Sequence, residues 1–133
     1  MSKIGVSQKA IIYNKEGGIL ILHRTSEAPS CPNYWDLPGG ELDFGEDATS
    51  GIIREIQEEA GIICRNIKPF DVESHIDESE EFWVTIAYKC QYEAEDVKLS
   101  FEHDEFKWIS KDNLSNYKFS NKIKRFVQNY DTE

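Results

Sequence analysis

Residues 40–62 read GELDFGEDATSGIIREIQEEAGI, and this stretch predicts one amphipathic helix. Apolar residues recur at three- and four-residue spacing over residues 48–60, which is the period of an α-helix. Asp47 stands where an N-cap belongs, and Gly61 stands where a helix commonly ends in the left-handed conformation. We therefore predict a helix over residues 48–60 that is bounded by these two residues.

Three glutamates of the predicted helix share one face. At about 100° per residue, Glu58 and Glu59 lie within about 60° of Glu55, directly beside the stripe of isoleucines. The alternative is a solvated surface helix, in which Glu is common. Against it, Glu55 and Glu59 form an i,i+4 like-charge pair, and Gly51 costs about 1 kcal/mol relative to Ala in a helix interior. Carboxylates grouped beside an open position, which we expect at Gly51, are what a hard divalent cation such as Mg²⁺ needs.

The composition of the chain argues against several classes of function. The 133 residues predict a single domain over residues 1–133, and 39% apolar with 12% aromatic residues is enough for a packed core. With 15 Lys and Arg against 25 Asp and Glu, the net charge of −10 argues against nucleic acid or an anionic membrane as partners. A phosphate substrate would need metal cations or a local cluster of Lys and Arg.

Cysteine usage and hydropathy indicate a cytoplasmic protein. The first ten residues lack the apolar run of a secretory signal, and no stretch approaches the roughly 20 apolar residues of a membrane span. Cys31, Cys64 and Cys90 are widely separated and odd in number, so we expect free thiols in a reducing compartment. The oligomeric state, monomer or homodimer, stays open.

The rest of the chain carries strand and turn signals in runs. Strands at Val6–Tyr13 and Ile19–Arg24 flank the turn residues NKEGG, which predicts a hairpin. The segment EFWVTIAYKCQY, residues 81–92, is rich in aromatic and β-branched residues and suits a central strand. Further segments are predicted as short extended structure at Trp35–Pro38, as strands at Phe70–His75, Phe82–Tyr92 and Phe106–Ser110, and as helices at Ser110–Asn116 and after the cap Ser120. This order predicts a mixed α/β (α+β) fold.

Gly40, Glu46 and residues 54–62 fill every specified position of a known signature: G, five residues, E, seven residues, then R-E-aliphatic-any-E-E-any-G-aliphatic. A chance match is on the order of one in 10⁹ per starting position. The stretch resembles the signature box of the Nudix hydrolases, and the flanking segments ILHR, NYWDLPGG and EHDEFKWIS extend the resemblance over most of the chain. Gly51 departs from relatives, which commonly carry Ala. The resemblance implies the Nudix fold, a mixed β-sheet sandwiched between α-helices, and the small MutT-like single-domain branch.

The resemblance also implies the chemistry. Nudix hydrolases use Mg²⁺ or Mn²⁺ to cleave a pyrophosphate bond in a nucleoside diphosphate linked to another group X. Carried over to this sequence, Glu55, Glu58 and Glu59 are metal ligands, and the backbone carbonyl of Gly39 joins them. Arg54, four residues before Glu58, orients the acidic side chains. Metal ions suit this reaction because they neutralise the pyrophosphate and lower the pKa of the attacking water.

Outside the box, the segment FEHDEFKW holds the candidates for a further metal ligand or general base. Many relatives carry a Glu in such a loop, and Glu102 matches that pattern best, with Glu105 next. The alternative is a solvated acidic loop. His103 is also a candidate base, although we expect a surface histidine there.

Three residues are candidates for binding substrate. Arg24 ends the second strand, where relatives often hold a basic residue that reaches phosphate. Trp35 and Phe82 are candidates to stack on a base, although alternation along a strand lets only one of Phe82 and Trp83 face a pocket.

The identity of X is weakly specified by the sequence. No signature of the ADP-ribose, dinucleoside polyphosphate, coenzyme A or NADH subfamilies is visible, and Glu78 stands where the ADP-ribose enzymes often have Pro. By resemblance, the substrate is a nucleoside triphosphate, including oxidised ones such as 8-oxo-dGTP. The alternative substrates are ADP-ribose, a sugar nucleotide and a dinucleoside polyphosphate. The alternatives of another class are a Nudix-fold nucleotide-binding module without catalysis and a Ca²⁺-binding acidic protein.

Overall fold

The computed structural model describes residues 3–131, which form seven strands, two α-helices and one 3₁₀ helix. The strands are β1 (Ile4–Tyr13), β2 (Ile19–Arg24), β3 (Trp35–Asp36), β4 (Gly39–Glu41), β5 (Ile63–Ile76), β6 (Phe82–Ala94) and β7 (His103–Ile109). The helices are α1 (Ala48–Ala60) and α2 (Asn121–Asn129), and the 3₁₀ helix is Lys111–Asn116. Within this described part of the chain, no helix is long and apolar enough to cross a membrane.

All seven strands join one mixed sheet. Its main path runs β3-β2-β1-β6-β5, with β4 paired to β1 and β7 paired to β2. Strands β1 and β6 run parallel from Ile4 opposite Phe82 to Tyr13 opposite Gln91, and the other pairs are antiparallel. The central position predicted for the aromatic strand is confirmed, because β6 lies between β1 and β5.

The two faces of the sheet carry separate cores. Along β1, Ala10 and Ile12 belong to the core beneath α1, while Ile11 belongs to the core beneath α2. This alternation follows from the two-residue period of a strand. Each fully buried isoleucine contributes roughly 1.5–3 kcal/mol to folding. The sequence-predicted sheet between helices is therefore confirmed.

Helix α1 has the predicted bounds. The Asp47 carboxylate accepts a hydrogen bond from the Ser50 N–H at 3.1 Å. Gly61 has φ = +67°, and its N–H donates to the carbonyls of Ile56 and Gln57. Both ends of the helix are thus closed by the residues that the sequence indicated.

Helix α2 also follows its prediction. The Ser120 hydroxyl accepts a hydrogen bond from the N–H of Ile123 at 3.5 Å. The predicted apolar stripe is buried against the sheet and comprises Ile123, Phe126, Val127 and Tyr130. The packing of this stripe fixes α2 on the face of the sheet opposite α1.

Three strands start earlier than predicted, and β1 is the first of them, at Ile4 rather than Val6. Strand β5 begins at Ile63 rather than Phe70, and β7 begins at His103 rather than Phe106. Residues 63–69 are mostly exposed and pair with β6 through register shifts, so they carry no clean alternation of apolar and polar residues. These segments are strands because their backbones pair with β6 and β2, and such pairing produces no recognisable pattern in their own sequence.

Gly51 is buried where α1 packs against β1 and against Leu42, the residue after β4. A Cβ atom there would lie 2.5 Å from Leu42 Cδ1 and 2.8 Å from Gln8 Oε1. The expectation of an open position at Gly51 was therefore wrong. The glycine makes room for these two side chains rather than for a ligand.

Candidate active site

Two glycines bring the backbone of β4 against the carboxylates of α1. Gly39 has φ = +150°, and a Cβ atom on it would lie 1.9 Å from the Gln8 carbonyl oxygen of the paired strand. A Cβ atom on Gly40 would lie 2.3 Å from Glu55 Oε2. Only glycine leaves space for the Glu55 carboxylate to sit this close to the backbone of β4.

Glu59 is the more deeply held of the two buried glutamates of α1. Its Oε1 accepts a hydrogen bond from the Gly39 N–H at 3.0 Å, and the residue is 8% exposed. Burial raises the pKa of Glu59 to about 7, against the lowering effects of Lys9 and of the Gly39 N–H. A nearby cation would favour the charged form, so this side chain is suited to binding one.

Arg54 gathers the remaining carboxylates of the box. Its Nε and Nη2 donate to Glu46 at 2.7 and 3.0 Å, while Nη1 donates to Glu55 and Glu58 at 2.8 Å each. The hydrogen bonds from Arg54 lower the pKa of Glu46 to about 2. Arg54 therefore fixes the acidic side chains relative to each other. Glu58 is exposed, whereas Glu55 is buried.

The oxygen donors where α1 meets β4, called the carboxylate edge below, fit a hard divalent cation. Over residues 3–131, no three His, Cys, Asp or Glu side chains already converge on one point. Arg54 donates to Glu55 and Glu58, and the Gly39 N–H donates to Glu59. The nearby donors are nevertheless all oxygens, and burial raises the pKa of Glu55 as well as that of Glu59. Buried carboxylates of this kind are stabilised by a bound Mg²⁺ or Mn²⁺.

The two candidate loop glutamates lie in different surroundings. Glu102 is exposed in the turn before β7, and its charge acts on the Glu59 carboxyl. Glu105 is paired with His23 across β2 and β7, and its carboxylate lies 4.0 Å from the ammonium of Lys107. The structure thus relates Glu102 rather than Glu105 to the edge that holds Glu59.

His103 is buried, so the expectation of a surface histidine was wrong. It is 5% exposed, because β7 begins at this residue and pairs it with Arg24. Burial is the main cause that lowers the pKa of His103 to about 4. Neither ring nitrogen has a hydrogen-bond partner among the residues described. The imidazole is therefore neutral at physiological pH.

A cleft of about 930 Å³ opens on the face of the sheet that carries α2. It reaches from Gly40 and Glu41, at the carboxylate edge, to the N-terminus of α2. Arg24 and Trp35 line it, as the sequence suggested for substrate contacts. Phe82 is not among its lining residues; its neighbour Trp83 is.

Trp83 is fixed as one wall of this cleft. Its Nε1 donates to Asp77 Oδ2 at 3.0 Å, and its ring covers Gly5 of the paired strand, where a Cβ atom would lie 2.4 Å away. The alternation rule left Phe82 and Trp83 open. Gly5, directly opposite Trp83, is the signal that could have decided between them.

Three cations surround Asp36 in the same cleft. The Asp36 Oδ2 accepts from Lys9 Nζ at 3.0 Å and from Arg24 Nη1 at 3.3 Å. Burial would raise the pKa of Asp36, but Lys9 and Arg24 hold it below its usual value. Lys122 is the third cation, and Asp36 acts on its charge. Sequence reasoning missed Lys9, Asp36 and Lys122, since each stands in a segment that reads as ordinary strand or helix.

Comparison with known proteins defines the class. A model of the NUDIX domain matches residues 3–130. The chain belongs to the Nudix family, and it is a Nudix pyrophosphohydrolase. Members of this family generally use divalent metal ions.

Individual relatives agree with this assignment. Nucleoside triphosphatase NudI of Klebsiella pneumoniae is 26% identical over 116 residues, which are 80% of this chain and 82% of that protein. Nudix hydrolase 5 of Arabidopsis thaliana is 26% identical over 90% of this chain, but the chain spans only 40% of its length. The MutT NUDIX hydrolase structure from Burkholderia pseudomallei superposes with a TM-score of 0.86 at 26% identity, covering 98% of this chain and 100% of that one.

One structural neighbour of lower sequence identity was solved with a nucleotide-type ligand. The NUDIX domain of Shewanella oneidensis NrtR, 15% identical with a TM-score of 0.80 over 97% of this chain and 87% of that one, was solved with ADP ribose. At this identity the likeness shows the fold alone.

Proposed function

We propose that this protein hydrolyses a pyrophosphate bond in a nucleoside diphosphate linked to a group X, with Mg²⁺ or Mn²⁺ bound where α1 meets β4. The observation that carries the proposal is the pair of buried carboxylates, Glu55 and Glu59, seated against Gly40 and Gly39. Burial disfavours their charged forms, and a divalent cation would restore them. When bound, such an ion neutralises the pyrophosphate and lowers the pKa of the attacking water.

We assign the metal-binding role to five residues. They are the carboxylates of Glu55, Glu58, Glu59 and Glu102, together with the backbone carbonyl of Gly39. The side chain of Glu58 is exposed and reaches solvent, whereas Glu55 and Glu59 are held in place by the fold. An exposed ligand beside two fixed ones leaves access for the substrate.

The catalytic residues that we propose are Glu55, Glu58 and Glu102, with Arg54 as the positioning residue. Arg54 donates to Glu55 and Glu58 through one nitrogen, so it sets the spacing of these carboxylates. Glu102 has general base as the alternative to its metal-binding role: when Glu55, Glu58 and Glu59 hold the metal without it, the unbound Glu102 carboxylate takes a proton from water, because a metal-bound carboxylate is a poor base. Its exposed position on a separate loop allows approach from the solvent side.

The substrate that we propose is a nucleoside triphosphate, including an oxidised one such as 8-oxo-dGTP. A relative that aligns with 80% of this chain is named a nucleoside triphosphatase, which supports this choice. Arg24 would contact phosphate, and Trp35 would stack on the base. Trp83 would take the stacking role first considered for Phe82, since Trp83 lines the cleft.

The test is a panel of substrates assayed for released phosphate and pyrophosphate with millimolar Mg²⁺. Nucleoside triphosphates, 8-oxo-dGTP, ADP-ribose, sugar nucleotides and dinucleoside polyphosphates are compared. Glu58→Gln should abolish most turnover, and Glu16→Gln, exposed in the turn between β1 and β2, should not. Cleavage of only the substrates that are not triphosphates would contradict the nucleoside triphosphate assignment and would identify the cleaved compound as the substrate class. A folded protein that cleaves none of them would be a binding module and would contradict the proposal.

We also propose that the chain works as one domain in the cytoplasm, as a monomer or a homodimer. The family model spans residues 3–130, and Cys31, Cys64 and Cys90 are free. Sedimentation velocity distinguishes the two oligomeric states.

A further inference from the structure

Lys122 is a half-buried cation inside the cleft. It is the second residue of α2 and lines the cleft beside Ser120 and Asn121. Within residues 3–131, its ammonium group forms no hydrogen bond and no ion pair. Burial is the main cause that lowers the pKa of Lys122, and the charge of Lys9 lowers it further. The folded protein therefore carries this charge at a cost.

The acids around Lys122 already have other partners. Asp36 accepts hydrogen bonds from Lys9 and Arg24. Glu73 accepts one from His75 Nδ1 at 3.0 Å. Lys9, Arg24 and Lys122 thus face two carboxylates, Asp36 and Glu73, so cations are in excess at this wall, while the other acids of the cleft line its remaining parts.

An ordinary lysine would avoid this position. A surface lysine lays its stem on apolar residues and keeps its ammonium in water. Lys124, two residues further along α2, is exposed. Lys122 instead holds its ammonium among the charges of the cleft, where Lys9 repels it. An anion that enters the cleft would give the Lys122 ammonium a partner and would offset its repulsion by Lys9.

We infer that Lys122 binds a phosphate group of the substrate. This inference rests on the proposed function, and it adds a residue that neither the signature box nor the sequence pattern contains. Lys122, Lys9, Arg24 and Gly40 all line this cleft, and Lys9 pairs with Gly39 on the neighbouring strand. A phosphate chain that starts at the carboxylate edge therefore lies in the same cleft as these cations. Lys122 is the cation of the three with no protein partner among the described residues, and so it gains most from the ligand.

The test compares Lys122→Met with the matched control Lys124→Met on the full chain. Methionine keeps the length of the stem and removes the charge. We expect Lys122→Met to raise the Tm of the ligand-free protein by about 3 °C, because an uncompensated cation is removed. The same variant should weaken binding of inorganic tripolyphosphate in EDTA, measured by calorimetry, roughly tenfold. Lys124→Met should leave both values unchanged.

Kinetics provide the second readout. On the substrate that the panel identifies, Lys122→Met should raise KM roughly tenfold with kcat changed less than about twofold, and Lys122→Arg should restore KM. Wild-type tripolyphosphate binding and KM in Lys122→Met would overturn the inference, as would a drop in Tm with unchanged binding. The tripolyphosphate arm needs no turnover, so it tests Lys122 even if the panel shows no hydrolysis and the proposed function fails.

Discussion

Replacing Gly40 with alanine places a methyl group against the carboxylate of Glu55. The new Cβ would lie 2.3 Å from Glu55 Oε2 and 2.7 Å from its Cδ, so the carboxylate must move. These atoms are the end of a flexible side chain, and we expect the free energy of unfolding to fall by less than about 1 kcal/mol. A displacement near 1 Å of a group at the reaction centre lowers kcat roughly 10–100-fold. Urea unfolding and steady-state kinetics on the same sample measure the two effects.

Gly39 provides the matched comparison for this prediction. Its Cβ would lie 1.9 Å from the Gln8 carbonyl oxygen, which is backbone, and its φ of +150° strains any other residue. Gly39→Ala should therefore lose roughly 3 kcal/mol or more of unfolding free energy. Adjacent glycines then give opposite phenotypes, one in stability and one in turnover. The reasoning is refuted if Gly40→Ala unfolds as readily as Gly39→Ala, or if it is folded with wild-type kcat.

The remaining predictions concern the carboxylates one at a time. Glu58→Gln should keep the wild-type circular dichroism spectrum and lower turnover at least roughly 100-fold at saturating Mg²⁺, and near-normal turnover would exclude Glu58 from the metal site. Glu102→Gln should lower kcat with little change in KM, whereas Glu105→Gln should do much less; the reverse order would transfer the base to Glu105. The pKa of Glu59 is raised in the folded state from 4.5 to about 7, so its protonation stabilises the metal-free fold below pH 4.5, and this stability is lost as pH rises through 7. In EDTA, the unfolding free energy of the wild-type protein should fall between pH 4.5 and 7 by roughly 2–4 kcal/mol more than that of Glu59→Gln. Parallel plots of unfolding free energy against pH for the two proteins would contradict the raised pKa.

Local signals predicted helix α1 almost to the residue. Asp47 and Gly61 act through hydrogen bonds within one turn of the helix, so their effect does not depend on distant parts of the chain. The first half of β5 shows the opposite case. Ile63 and its polar neighbours become a strand only because β6 lies alongside, and that pairing joins residues far apart in sequence.

The candidate site divides in the same way. Glu55, Glu58 and Glu59 stand on one short helix, so their common face could be calculated from the spacing alone. Asp36 and Lys9 come from different strands, and their 3.0 Å ion pair exists only after β1, β2 and β3 have assembled. Residue type and spacing give no sign of such a pair.

Lys9 links the two kinds of chemistry on this protein. Neighbouring residues Gln8 and Ala10 are turned towards the side of α1, so the pleat of β1 directs Lys9 to the opposite face, that of the cleft. There its ammonium bonds to Asp36 in the cation-rich wall. Its charge nevertheless acts on Glu59 and opposes the rise in the pKa of that carboxyl. An anion bound to the cation cluster would offset part of the charge of Lys9 and so favour protonated Glu59, whereas a divalent cation at the carboxylate edge would favour the ionised form. Under the proposed function, an anion at Lys9 and a metal ion at Glu59 therefore bias the protonation of Glu59 in opposite directions, and Lys9 is the side chain that couples them.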